Sequence, residues 1–295
     1  VRLSTPIALA AMGGVFSERS GVFNIGLEGM MLFGALAAVM GSHYLGGPWM
    51  GLLGAMLVGG AIGLLLAYVS VGLGANQIVS GVGINLLALG MTTFVARMVL
   101  RPAGVEQVPA FQIVAVPYLA RVPLLGPVVF TQTPLVFITL LLAPALALFL
   151  FTTPWGLAVR ATGELPRAAD TAGIHVSLVR YFGVIASGVL AGMGGAFLSL
   201  GQLNLFSENM TAGRGFIALA AVIFGKWHPL GALGASFLFG AAEALQLFIQ
   251  TYNLGIPYQL PTMLPYVLAL VVLGGFVGRS VAPAAAGVHY GREDR

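Results

Sequence analysis

The chain has no cysteine, which excludes disulfides, thiolate metal sites and cysteine nucleophiles. Charge is nearly as scarce. Thirteen basic and nine acidic side chains serve 295 residues, 7% of the total, whereas a soluble domain carries ~25%. No water-facing surface can be built from that composition. Lysine occurs once, as Lys226, and Trp227 follows it. The Gly-x-x-x-x-Gly-Lys-Ser/Thr phosphate loop is therefore missing, and ATP is not bound by that route. His43, His175, His228 and His289 are isolated, with no partner at metal-ligand spacing. No Ser-His-Asp set stands out, so a membrane enzyme is disfavoured and no cofactor is expected. A net charge of +4 is too small to suggest nucleic acid. The first apolar run follows Val1 and Arg2 without a basic n-region, so a cleavable signal peptide is not expected.

What the chain does have is apolar length. Hydrophobic residues make up 58%, and mean hydropathy is +0.97. The expected fold is all-α, a polytopic transmembrane helical bundle forming one domain over 1–295. A bilayer-crossing helix needs ~20 apolar residues. Spans are expected at 3–16, 26–42, 49–72, 77–100, 134–152, 179–200, 229–250 and 263–278, with a shorter segment at 215–226. The first is only ~21 Å long at 1.5 Å per residue, which suits a truncated or half-spanning element. The 215–226 segment either crosses by a thin path or enters partway, where protein must bury its backbone. Glycine, 42 residues, is about twice the usual ~7%. Gly59/Gly63, Gly188/Gly192 and Gly274/Gly278 have the small-xxx-small spacing that lets membrane helices approach closely.

One stretch, 153–178, breaks the apolar pattern. Arg160, Glu164, Arg167, Asp170 and Arg180 fall within or just after it. Pro154 is placed to open a short helix and Pro166 a second. Gly163 interrupts them, and Gly173 is placed to end the second. Two short helices with small Ala faces and charged flanks make a compact knob, a surface for another protein to grip; the alternative is a solvated loop of mixed charge. By the positive-inside rule the island is expected to be cytoplasmic. Arg19, Lys226, Arg279, Arg292 and Arg295 join it there, while Arg97, Arg101 and Arg121 fall outside. The segment 101–133 carries prolines at 102, 109, 117, 123 and 127 and cannot sustain a helix. It is expected as an extracytoplasmic loop.

Polar residues inside spans are functional candidates by default. Gln77, Gly81, Asn85, Ala88 and Thr92 make one helical stripe. It suits either a neutral polar solute moving past Gln77, Asn85 and Thr92, or hydrogen bonding between helices. Ser236, Gly240, Glu243, Gln246 and Gln250 make a second. Glu243, mid-span, must be protonated, paired or facing water; Glu243 and Gln246 are further pathway candidates. Asn24 and Glu28 share a helix face, where Asn24 can cap and Glu28 can answer the helix dipole. A weak internal echo links 24–36 with 216–225, segments expected to cross in opposite senses, as inverted repeats do.

The island Gly156-Leu-Ala-Val-Arg-Ala-Thr-Gly-Glu-Leu-Pro-Arg-Ala-Ala-Asp-Thr-Ala-Gly173 resembles the cytoplasmic coupling loop of ABC-importer permeases. The likeness is to the branched-chain amino acid, ribose and nucleoside permease family. Ser17-Glu-Arg-Ser-Gly-Val-Phe-Asn-Ile-Gly-Leu-Glu-Gly-Met30 and Gly213-Arg-Gly-Phe-Ile-Ala-Leu-Ala-Ala-Val-Ile-Phe-Gly-Lys-Trp227 resemble its nucleoside subgroup. The likeness runs from about residue 4 to 278, although such permeases usually carry a longer first helix. It implies a nucleoside-class permease subunit working by alternating access in the bacterial cytoplasmic (inner) membrane, with ATP hydrolysis on a separate partner. The implied partners are an ATP-binding subunit, a second related permease and a substrate-binding lipoprotein or periplasmic protein. By position, Arg160, Gly163, Glu164, Pro166, Arg167, Asp170 and Gly173 would sit in the ATP-binding subunit's groove. The alternatives are a simple-sugar permease, an ion-coupled carrier using Glu243 or Glu28 as relay, and a structural assembly factor.

Overall fold

A computed structural model of the chain describes residues 1–100, 107–115, 117, 130–252, 257, 259–275 and 281–291. Arg101, Arg121, Arg279, Arg292, Arg295 and the Gly274/Gly278 pair's second member lie outside the described residues. The architecture is helical. In chain order the helices are α1 Ser4–Arg19, α2 Leu27–Tyr44, α3 Pro48–Gly72, α4 Gln77–Leu100, α5 Pro134–Thr152, α6 Pro154–Glu164, α7 Pro166–Thr171, α8 Val176–Leu203, α9 Arg214–Phe224, α10 Pro229–Thr251, α11 Gln259–Thr262 and α12 Leu264–Gly275. Five of them, α3, α4, α5, α8 and α10, are long and apolar enough to cross a membrane. The other expected spans appear as the shorter α1 and α2 and as α12, the last three residues of whose expected span, 276–278, lie outside the described residues. One departure from an all-helical chain is a two-residue ribbon, Val114–Ala115 against Thr131–Gln132, antiparallel.

Helix α1 is the centre. Every residue from Ser4 to Glu18 is buried, because α8, α9, α10, α5 and α6 pack around it. A helix apolar on all sides with protein on all sides needs no amphipathic stripe. Apolar side chains on the outer helices face away from the core instead, among them Leu57, Leu86, Phe94, Leu141 and Leu270. That belt matches a bilayer, and the chain is a multi-pass membrane protein.

The α2–α3–α8 layer is held by glycine. A Cβ on Gly59 would stand 2.3 Å from Gly188 O, and one on Gly188 would stand 2.2 Å from Gly59 O. Gly192 lies as closely on Ala55 O, at 2.3 Å. The two spaced pairs of α3 and α8 thus meet each other, backbone on backbone, where no side chain fits.

The bundle has two distinct ends. At one stand α6, α7, Arg19, Lys226 and residues 281–291, with Arg19 donating to Trp227 O and Lys226 O. At the other stand Arg97, Trp49 and the described part of 107–115, where Phe111 N donates to Leu200 O and Ser42 to Pro109 O. Arg97 does not stand as a lone charge there. It forms a two-pronged pair with Glu208, at 3.0 and 2.9 Å.

Candidate translocation site and coupling surface

Residues 20–26 climb from the island end into the bundle without forming a helix. Gln77 Oε1 accepts from Phe23 N at 2.7 Å. Two turns along α4, Asn85 donates to Ile25 O at 3.0 Å and accepts from Gly29 N at 2.8 Å. Helix α2 therefore starts about 12 Å inside the bundle, eight residues along α4. Gln77 and Asn85 are buried, and Thr92 is buried with its hydroxyl on Ala88 O of its own helix. The first polar stripe spends these hydrogen bonds inside the chain, on the broken segment and on α4 itself.

Helix α9 is the counterpart. After α8, residues 204–213 carry left-handed backbone at Asn204, Asn209, Ala212 and Gly213, and α9 then runs back to Arg19 at the island end. Its first turn meets the first turn of α2. Glu28 accepts from Gly213 N at 2.8 Å and from Gly215 N at 2.6 Å. This corrects the expectation that Asn24 caps α2, and it adds a second helix to Glu28, which stands in the first turn of α2 as expected. The N-cap of α2 is Gly26 and has no side-chain cap, Asn24 donates to Ser187 at 2.8 Å, and Glu28 answers the dipole of α9. The Gly-Arg-Gly motif is explained by the same contact. Gly213 takes φ +86°, and a Cβ on Gly215 would stand 2.4 Å from Glu28 N. The two echoing segments do start face to face and run in opposite senses.

Beside the start of α9 lies a cavity of about 250 Å³, walled by Ile7, Arg214, Phe239, Glu243, Gln246 and Tyr266 among others. It occupies the half of the bundle away from the island, with the start of α9 as its floor. Arg214 donates to Glu243 and to the carbonyls of Met210 and Thr211. Glu243 is therefore paired, one of the three states open to a mid-span carboxylate. Glu243 and Gln246 share this cavity, while Gln77, Asn85 and Thr92 do not line it. Arg214 and Tyr266 were missed by sequence reasoning; the Gly-Arg-Gly motif was the available signal for Arg214.

At the island end the two short helices form where their prolines placed them, but α6 runs through Gly163 to Glu164, and the expected interruption falls at Leu165 instead. Pro154 opens α6, with Thr153 accepting from Gly156 N, and Pro166 opens α7. Gly173 ends α7 at φ +87°, with Ile174 N on Ala169 O and Gly173 N on Asp170 O, the paired bonds of a glycine C-cap. Gly163 has a packing role: a Cβ there would stand 2.2 Å from Arg19 O. Glu164 lies 3.9 Å from Arg19, and both Arg19 and Arg160 lie over the Phe151 ring. Arg167 is exposed and Asp170 half-buried. Arg180 belongs to the interior instead, 1% exposed, with its guanidinium against Gly21. His228 stacks on Phe151 and accepts from Leu230 N at 3.2 Å. Burial, then the charge of Arg19, holds its imidazole below the ordinary histidine range. Among the described residues no group of three His, Asp or Glu is placed to hold a metal.

The apolar helices, two helix starts meeting among them and a cavity beside the start of α9 make a multi-pass membrane protein, and the family it belongs to is one of permeases. The chain belongs to the family of branched-chain amino acid transport system permease components, whose model matches residues 1–288. It is 44% identical to the guanosine ABC transporter permease protein NupQ of Bacillus subtilis (strain 168), over 97% of this chain and 93% of that one. It is 40% identical to the nucleoside ABC transporter permease protein NupC of Lactococcus lactis subsp. cremoris (strain MG1363), with the same coverage. The putative glucose ABC transporter permease protein TsgC13 of Haloferax volcanii is 38% identical over 88% of this chain and 79% of its own length. No solved structure matches the chain. Membership makes the chain a transport subunit and not an enzyme, and sets aside the ion-coupled carrier and the assembly factor.

Proposed function

We propose that this chain is the nucleoside-translocating permease of an ATP-driven importer in the bacterial cytoplasmic membrane. Its α6–α7 knob docks on a separate ATP-binding subunit, a second related permease stands beside it, and a binding protein delivers the solute. The observation that carries the substrate class is the identity to the two nucleoside-named relatives over 93% of their lengths. The cavity supports the reading in its chemistry. Gln246, Tyr266 and the Arg214–Glu243 pair offer donors and acceptors of both kinds, and Ile7 and Phe239 offer apolar faces. A nucleoside needs both. At about 250 Å³ the cavity is below the ~300 Å³ where ligand pockets begin, in keeping with one chain contributing part of the path.

The layout supports a mechanical role. Glu164 of the knob lies by Arg19, Arg19 holds the last carbonyls beyond α9, and the start of α9 carries Arg214 into the cavity. Movement of the knob therefore has a packed route to the solute, as alternating access requires. A simple sugar is the second reading, favoured by the glucose-named relative. Uptake of radiolabelled adenosine, guanosine, ribose and glucose by the complete complex separates them. Nucleosides entering and competing with one another is the expected result; transport of ribose or glucose untouched by excess guanosine would reject the nucleoside assignment.

A further inference from the structure

The described C-terminal segment, Val281–Gly291, is bound to the knob by hydrogen bonds that span the sequence. Ala285 N donates to Gly163 O at 2.8 Å, and Ala284 N donates to Glu164 Oε2 at 3.2 Å. The Tyr290 hydroxyl donates to Asp170 Oδ2 at 3.1 Å. Two further bonds tie the segment to the bundle: Gly287 N to Gly21 O at 3.2 Å, and Arg180 Nη1 to Val288 O at 2.8 Å. Among the described residues Nε and Nη2 of Arg180 have no hydrogen-bond partner, and Val288 O is the one acceptor of this buried guanidinium. Release of the segment would take away that acceptor as well and leave the buried charge with none among the described residues, which makes this attachment costly to release.

These bonds point inward and use mainly the segment's backbone. Pro283 and Ala285 are buried, whereas Val288 and His289 are exposed. Val288, His289 and Tyr290 form one wall of a groove of about 240 Å³, and Leu165, Pro166 and Arg167 of the knob form the other. Leu165 is 67% exposed and Val288 57% exposed. Glu164, Arg167 and Asp170 flank the groove, and a hydrocarbon surface is a poor place for them. A protein with an apolar side chain to insert fits better than lipid.

We propose that the C-terminal segment is the second half of the docking face for the ATP-binding subunit. An apolar side chain of that subunit enters between Leu165 and Val288, so that the knob, the segment and the turn at Gly21 move as one body. This rests on the proposed docking of α6–α7, with which the groove is continuous.

The chain has no cysteine, so single thiols can be placed at will. Leu165→Cys, Val288→Cys and, at the opposite end, the exposed Leu45→Cys are each prepared in the complete importer with its ATP-binding subunit. A short thiol-to-amine cross-linker is added, and the permease–ATPase adduct is read by electrophoresis. The adduct is expected from Leu165→Cys and Val288→Cys, with complete loss of it for Leu45→Cys. An adduct from Leu165→Cys but not Val288→Cys would overturn the role of the segment and leave the knob's docking intact. No adduct from either would overturn both. Val288→Asp keeps the backbone carbonyl for Arg180, and is expected to weaken retention of the ATP-binding subunit about tenfold. Unchanged retention would count against the groove.

Discussion

Glu28 sits in the first turn of α2, yet both of its oxygens face the first turn of α9. Removing the carboxylate in Glu28→Ala leaves two amide donors unmet, one of them buried. The expected loss is about 1.5–3 kcal/mol, the range for hydrogen bonds to a charged group, and a lowered thermal midpoint of the purified permease checks it. His228 makes a second prediction at this scale. Its folded pKa lies below the unfolded value, so the unfolded chain takes up the proton first. Stability is full above about pH 6.5, the ordinary histidine value, and falls as pH drops below it. His228→Asn, which can still cap α10, is expected to flatten that part of the stability–pH curve. Residue types were readable in the sequence and partners were not. Glu28 was marked as a residue at the start of α2 answering its dipole, but the helix its oxygens bond starts at residue 214, which no local pattern announces. Asn85 was marked as polar inside a span, and either a solute or a neighbouring helix fitted that fact. Its two backbone partners, Ile25 and Gly29, lie in a stretch that reads as an ordinary helix start.

Among the elements, α3 and α8 were the most legible, because spaced glycines have few other uses. Gly188→Leu forces a side chain against Gly59 O and is expected to cost about 3 kcal/mol or more, beyond the usual overpacking range. Loss of folded permease from detergent extracts, against a neutral Leu141→Ala control on the outer face, checks it. The knob was legible for a related reason. Two prolines and a glycine stop are local signals, and each of them sits where helix chemistry uses it. The short α9 was less so, since a largely apolar helix of eleven residues suits a buried element as well as half a crossing. Arg19 holds the far end of α9 through Trp227 O. Arg19→Met is expected to leave ATP hydrolysis running while uptake falls, and the ratio of transported solute to ATP hydrolysed is the measurement. An unchanged ratio would take α9 out of the route from knob to cavity.

For the molecule as a whole, the sequence excluded much and left the cargo open. Scarce charge, a single lysine and no cysteine removed soluble folds, a phosphate loop and thiol chemistry, and the apolar runs required a membrane bundle. The cavity proposed to receive the cargo is lined by side chains gathered from α1, α9, α10 and α12, and only Glu243 and Gln246 stood out from their own helix. On the proposed function force enters at the knob, and the cavity lies by the start of α9, in the other half of the bundle. The most direct test of that arrangement is uptake of radiolabelled guanosine into proteoliposomes holding the complete complex. Accumulation is expected only when ATP is supplied to the island side, and is expected to survive collapse of the ion gradients. Uptake that continues without ATP and stops when the proton gradient is collapsed would contradict it.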